Sequence, residues 1–455
     1  MEYRTSRAGR LGYQWIAIFI GALALLGGLP AAQALPSYAR QTGQQCAACH
    51  NGFPELTPYG RLFKLNGYTF LGGDSDWPAL AAMGQAGFTN TNKSQPGGAG
   101  PHISPNDNVA FQAGSIFYGG AIAPSLGLGT FAQATYDNIH RRFTWDNTDI
   151  RWAKSTTLGG ETVFGLSLNN NPSVTDLWNS TPAWRYPFIT SGVGPAGPVP
   201  TATMIEGAFA QQVVGLNAYA FWNRLVYAEV GGYHTLPKAG DAAVGINPTG
   251  TTSINGIAPY WRFALQPQWG PSSFEIGTFG MAASLNPGRV TGSGTDHTTD
   301  IGFDTQYQFL SDVHSVSLQA SYITENQNYT ASQALGGTSN GRDFLRSFNV
   351  KSSYYYEQTY GGTLGYFSTR GSIDPLLYGT NSPTYNTPNT AGWIGELDYM
   401  PFNHGGPGFW PWLNMKVGVQ YIYYQRFEGG STNFDGAGRN ASDNNTLFLF
   451  DWIAF

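Results

Sequence analysis

The chemistry in this sequence is concentrated in five consecutive residues. Cys46 and Cys49 are the only cysteines, and both stand in Cys46-Ala47-Ala48-Cys49-His50. A C-x-x-C-H run brings two thiols to the two vinyl groups of one haem and sets the adjoining imidazole under the iron. Three other uses of the pair compete with that one. A structural disulfide needs neither the adjacent histidine nor so short a span. A zinc site takes four ligands, and no second Cys/His pair lies nearby. A redox disulfide is expected beside a βαβ pattern, which is missing here. The spacing therefore predicts one covalent haem c, with thioethers at Cys46 and Cys49 and an axial bond from His50.

Short helices must position these groups. One is expected through the cysteine pair after Thr42. A second opens with Thr57 as N-cap and Pro58 at the first helical position, and stops at Gly67. Tyr59, Leu62 and Phe63 share one face of it, suited to packing on a haem edge. Arg61 and Lys64 project elsewhere, either as partners of the haem propionates or as ordinary solvated charges. The whole haem segment runs from 35 to 77, barely above the roughly 40 residues below which a domain seldom stands alone. The rest of the chain is therefore expected to wall the haem in.

Ahead of that segment, residues 1–34 read as an export signal. Arg4, Arg7 and Arg10 form a basic start, Trp15 to Leu29 an apolar stretch, and Ala32-Gln33-Ala34 a small-residue cleavage site. Removing its net charge of +2 turns the formal charge of −5 into −7. That balance argues against nucleic acid as a partner and mildly favours cationic ones. No later stretch approaches the roughly 18 consecutive apolar residues that a membrane-spanning helix requires.

Residues 78–455 carry a different signal. Over the whole 455-residue chain, charged residues make up 11% and aromatics 15%, with 60 glycines and 13 tryptophans. Soluble domains usually carry about 25% charged residues, whereas membrane barrels present an apolar wall with aromatic girdles. Segments of about ten residues alternate apolar and polar side chains. In 314–322, for example, Val316, Leu318, Ala320 and Tyr322 alternate with Ser315, Ser317, Gln319 and Ser321. Sixteen strands are expected, starting near 79, 108, 127, 144, 161, 211, 225, 258, 272, 299, 314, 344, 359, 391, 412 and 444. Links after even-numbered strands are mostly tight, and those after odd-numbered strands mostly long, such as 169–210. That is the pattern of periplasmic turns and extracellular loops in bacterial outer-membrane barrels. The predicted fold is thus all-β: a transmembrane antiparallel barrel of about 16 strands with a small helical haem segment at its N-terminus. A barrel of this size leaves an aqueous channel unless something fills it. The haem segment, entering from the periplasmic side, is expected to be that plug.

The sixth iron ligand remains open at this level. Met83 shares strand parity with Gln85, Thr89 and Thr91, pointing into the lumen near the strand's periplasmic start. His314 and His404 are rivals on the same side. His102, His140, His234 and His297 fall towards extracellular ends or loops. Asp149, Arg151 and Asp304 read as wall-lining groups.

The stretch LPSYARQTGQQCAACHNGFPELTPYGRLFKLNGY, residues 35–68, resembles the fused monohaem cytochrome–porin family of iron-oxidising bacteria. Gly43, Pro54, Thr57, Pro58, Gly60, Arg61, Lys64 and Gly67 belong to that signature beside the C-x-x-C-H run. The run Leu80-Ala81-Ala82-Met83 also looks like the family's first strand, which favours Met83 as the distal ligand. The resemblance covers about the first tenth of the chain. It implies an outer-membrane oxidoreductase that takes electrons from extracellular iron(II) and passes them to a periplasmic cytochrome c or cupredoxin. A haem-plugged channel and a conduit for another donor are the alternatives.

Overall fold

The computed structural model describes residues 35–73, 78–157, 159–181, 185–195, 201–249 and 251–455. The export signal expected over 1–34 and the segment boundary at Trp77 lie outside these residues.

Side-chain alternation decides the architecture. The sixteen long strands are β1 Leu80–Thr91, β2 Asn108–Ala123, β3 Leu128–Asp137, β4 Arg142–Thr156, β5 Thr162–Asn169, β6 Val213–Trp222, β7 Val226–Thr235 and β8 Ala258–Leu265, then β9 Ser272–Asn286, β10 Asp296–Leu310, β11 His314–Asn328, β12 Arg342–Tyr356, β13 Tyr360–Gly371, β14 Thr390–Tyr399, β15 Asn414–Arg426 and β16 Thr446–Ala454. Two-residue pieces, Ser253–Ile254 and Gln268–Trp269, pair with β9 on either side of β8 and lengthen that stave. Every start lies within three residues of its expected position. Neighbours pair antiparallel around the whole circuit, and β16 closes on β1 from Met83↔Ala454 to Thr91↔Thr446. Closure removes the unpaired edge that a sheet could not carry into lipid.

The two faces differ as the alternation requires. In β11, Ser315, Ser317, Gln319 and Ser321 are buried inside, while Leu318 and Tyr322 are exposed on the outer wall. Exposed Ile276, Phe303, Leu364, Leu397 and Trp393 continue that apolar belt around the barrel. The inner face departs from the expected polar character on several strands, as at Tyr233, Phe279 and Phe367. Inward-facing Phe448, Phe450 and Trp452 of β16 are buried in an apolar cluster with Ile189, because protein rather than water fills the lumen there.

Short links and long links segregate to opposite ends. At one end lie 124–127, 157–161, 223–225, 311–313 and 357–359, and the chain enters β1 and leaves β16 there. The link 400–413 at this end is long, against the expected pattern. The link 138–141 at the other end is short. The larger departure is 170–212, expected as an extracellular loop. Much of it turns into the lumen: Val174, Leu177 and Trp178 are buried, and Trp178 donates from Nε1 to Gln266 Oε1 at 2.7 Å. The Trp178 carbonyl in turn accepts from Gln306 Nε2 at 2.7 Å. This inward strap meets the N-terminal segment inside the barrel.

That segment forms three short helices, α1 Pro36–Thr42, α2 Cys46–Cys49 and α3 Pro58–Leu65. In α3 the Thr57 side chain accepts from Gly60 N–H and Pro58 occupies the first turn. Gly67 follows the helix in the left-handed region at φ 68°, where a side chain would be strained. α1 was not expected, although Pro36 opens it and left-handed Gly43 closes it.

Candidate functional site

The N-terminal segment sits within the short-turn end of the lumen, bonded to strands on all sides. Tyr68 Oη donates to Asp149 Oδ2 on β4 at 2.6 Å, and Tyr219 Oη on β6 donates to the Leu65 carbonyl at 2.7 Å. Gln41 Oε1 accepts from the Ala121 N–H on β2 at 2.7 Å. Glu55 pairs with Lys351 on β12, both side chains almost wholly buried. Burial alone would raise the Glu55 carboxyl, but the Lys351 charge and hydrogen bonds hold it below the usual glutamate range.

Between this segment, the wall and the strap lies a cavity inside the barrel. Cys49, His50, Phe53 and Pro54 form one part of its lining. Tyr38, Phe63, Lys64 and Tyr68 form another, and Met83, Phe117, Phe131, Gln133 and Trp452 come from the barrel. Val174 and Asn179 of the strap close it. The lining is mostly apolar and aromatic, with few polar groups.

The His50 ring is fixed by a backbone contact. Its Nδ1 lies 2.9 Å from the Pro54 carbonyl oxygen. An Nδ1–H donated to a backbone carbonyl leaves Nε2 as the lone-pair nitrogen. Burial pushes the imidazole down to about 4, so the ring is neutral at ordinary pH, the form a metal requires. Cys49 also faces the cavity, its thiol pushed up to about 12 by burial. Cys46 is fully buried beside it in the one-turn helix, its Sγ 3.2 Å from the Asn414 Nδ2 donor. Gly60 permits this arrangement, because a Cβ there would stand 2.3 Å from the Cys49 carbonyl oxygen.

The other expected site residues divide. Met83 lines the same cavity as His50. His314 is bonded instead to Tyr354 Oη on the outer wall at 2.8 Å, and His404 to the Glu357 carbonyl at 2.7 Å. Neither reaches the cavity. His140, His234 and His297 bond to Asp137, the Gly256 carbonyl and Ser284 at the long-loop end. Lys64 reaches the cavity, with its ammonium on the Val174 and Asp176 carbonyls. Burial lowers it to about 8.

Arg61 corrects the expectation of a propionate partner. Its guanidinium points away from the cavity, donating to Gln306 Oε1 at 2.8 Å and Gln308 Oε1 at 3.0 Å on β10. On α3 the cavity face is Gly60, Phe63 and Lys64 rather than Tyr59, Leu62 and Phe63. Leu62 packs against the cluster around Trp178, and Tyr59 contacts Phe70 at the rim. The strap residues Val174 and Asn179 were missed. The apolar Val174, Leu177 and Trp178 close together in a loop expected to face solvent were the available signal. Asp149 and Arg151, read as wall groups, form a fully buried ion pair at 2.7 Å.

No family model matches this chain, and no curated protein matches it. Solved barrels do resemble it distantly. OmpT of Vibrio cholerae, an outer-membrane protein, is 9% identical over 84% of this chain and 99% of its own, with a TM-score of 0.40. The outer membrane channel DcaP of Acinetobacter baumannii is 10% identical over 83% and 96%, at 0.43. OprB of Pseudomonas putida is 12% identical over 83% and 93%, at 0.44. Likeness of that degree carries no argument about function.

Proposed function

We propose that this chain is an outer-membrane electron-transfer protein, an iron(II):cytochrome c-type oxidoreductase built on a plugged barrel. The observation that carries the reading is an apolar cavity inside the closed wall, lined together by Cys49, His50 and Met83. These residues fit a covalent haem c, which when bound supplies a one-electron couple. Cys46 and Cys49 would hold it by thioethers, with His50 Nε2 and the Met83 thioether as the iron-binding groups. Thioether and histidine ligation together would favour the ferrous state and raise the potential, and the apolar lining would act in the same direction. Lys64, whose ammonium rests on the Val174 and Asp176 carbonyls at the cavity edge, would be the cation nearest a propionate.

The outer wall and the lumen divide the labour. The exposed apolar belt suits outer-membrane lipid, and the strap and helices occupy the lumen between the two ends. Each iron(II) gives up one electron and leaves as iron(III) on the long-loop side. The electron alone passes inward, to a periplasmic cytochrome c or cupredoxin on the short-turn side. Insoluble ferric product thus stays outside.

Purified holoprotein mixed with ferrous iron should develop the reduced haem band. Failure at every pH, with dithionite still producing the band, would assign the protein to another donor. A large steady conductance in planar bilayers would instead assign it to diffusion.

A further inference from the structure

The turn between β12 and β13 breaks a rule of hairpin chemistry. The Thr359 N–H donates to the Tyr356 carbonyl at 3.0 Å, so Glu357 and Gln358 are the central pair. Both are left-handed, at φ 48° and 44°. Turns of this kind favour Asn-Gly or Gly-Gly, because a Cβ crowds the backbone at positive φ. Strain retained in a turn points to a second constraint on the same residues. Gln358 carries one. Its Nε2 donates to the Ala47 carbonyl at 3.1 Å and to the His50 carbonyl at 3.0 Å. α2 is a single turn, and the carbonyls at the end of a helix have no partners within it. The backbone around Gln358 is braced as well. Its carbonyl accepts from Asn403 Nδ2 at 2.8 Å, and the Asn403 carbonyl accepts from the Ala47 N–H at 3.1 Å. The long 400–413 link, unexpected at this end of the barrel, supplies that brace.

We propose that Gln358 is a positioning residue for His50, fixing the cysteine–histidine turn to the barrel rim and so setting the imidazole against Met83 across the cavity. It does not line the cavity and touches no reacting atom. The inference rests on the haem reading above. Its chemistry asks for a carboxamide at a position where backbone strain argues for glycine or asparagine. A shorter Asn side chain would relax the turn yet fall one methylene short of the two carbonyls.

The test compares two neighbours in one turn, in the full-length holoprotein. Glu357→Gly relieves the same left-handed strain without touching the clamp. It should raise the thermal midpoint of the barrel and leave the haem midpoint potential and the sixth-ligand absorption band unchanged. Gln358→Gly and Gln358→Asn should lower the potential and weaken that band, as water reaches a looser His50. Equal potentials in all three variants would overturn the proposal. So would a barrel that fails to fold in both Gln358 variants, since the clamp is no part of the wall. If the wild-type protein carries no haem, the functional reading fails first. The clamp is then read from amide exchange at 47–51, which should quicken in the Gln358 variants but not in Glu357→Gly, and equal rates would overturn it.

Discussion

Replacing Lys351 by methionine should undock the N-terminal segment while leaving the barrel closed. Lys351 and Glu55 form a buried pair linking the wall to the loop that follows His50. Glu55 Oε1 keeps a bond from Gln308 Nε2 at 2.9 Å, but its second oxygen loses the cation paired with it. Removing one partner of a buried ion pair costs about 3–5 kcal/mol, because the remaining charge is left uncompensated. At about 1.4 kcal/mol per tenfold, the undocked population rises by roughly two to three and a half powers of ten. The strands pair through their own ladders, so the loss is local. Hydrogen exchange over 47–56, with limited proteolysis, reads it directly against strand amides in β10 and β12. Glu55→Gln combined with Lys351→Met removes both charges and should restore most of the protection, since neutralised buried pairs are often close to neutral. Acid tests the same pair. The Glu55 carboxyl is depressed in the folded state, so its contribution is complete above the ordinary value of about 4.3 and is lost as pH falls through the depressed one. Unchanged exchange in Lys351→Met, or a double variant as loose as the single, would refute the reasoning.

Three further outcomes follow from the same geometry. Met83→Ala should remove the sixth ligand and lower the haem potential, seen by spectroelectrochemistry, whereas Met83→Leu should do so without opening space. Arg61→Met should destabilise the docked segment by about 1–3 kcal/mol, the cost of leaving Gln306 and Gln308 buried without a donor. Its haem potential should stay close to wild type, because Arg61 does not face the cavity; a large shift would show that it does. Planar bilayers holding the intact protein should be nearly silent, and deleting 35–73 should raise conductance; an intact protein that conducts as freely would contradict the filled lumen.

The wall was legible because period-2 alternation is written residue by residue, and every strand start followed from it. Met83 was placed correctly in the lumen by the same parity. α3 was legible from Thr57, Pro58 and Gly67, local signals that act within a turn. Contacts between distant segments were not. Helical spacing told which residues share a face of α3, but not that Gln306 and Gln308, some 245 residues on, would claim Arg61. The strap eluded the sequence for a similar reason. Its buried Val174, Leu177 and Trp178 have helical spacing but no long helix to carry it, only the short turn Pro172–Thr175, and some of its polar residues find partners on the far wall, as Ser180 does on Asp304. The aromatic inner face of β16 misled the expectation of a polar lumen, since a polar lumen presumes water.

Burial of the cysteine pair also imposes an order on the protein's biogenesis. Cys46 has no accessible surface and Cys49 very little, and the chain reaches β1, one side of the β1–β16 seam, only after them. Under the haem reading, any enzyme that forges thioethers must meet these thiols while the seam is still open. The last strand made is the one that zips the circle shut, so the cofactor is loaded onto an unfinished chain and the barrel is then wrapped around it.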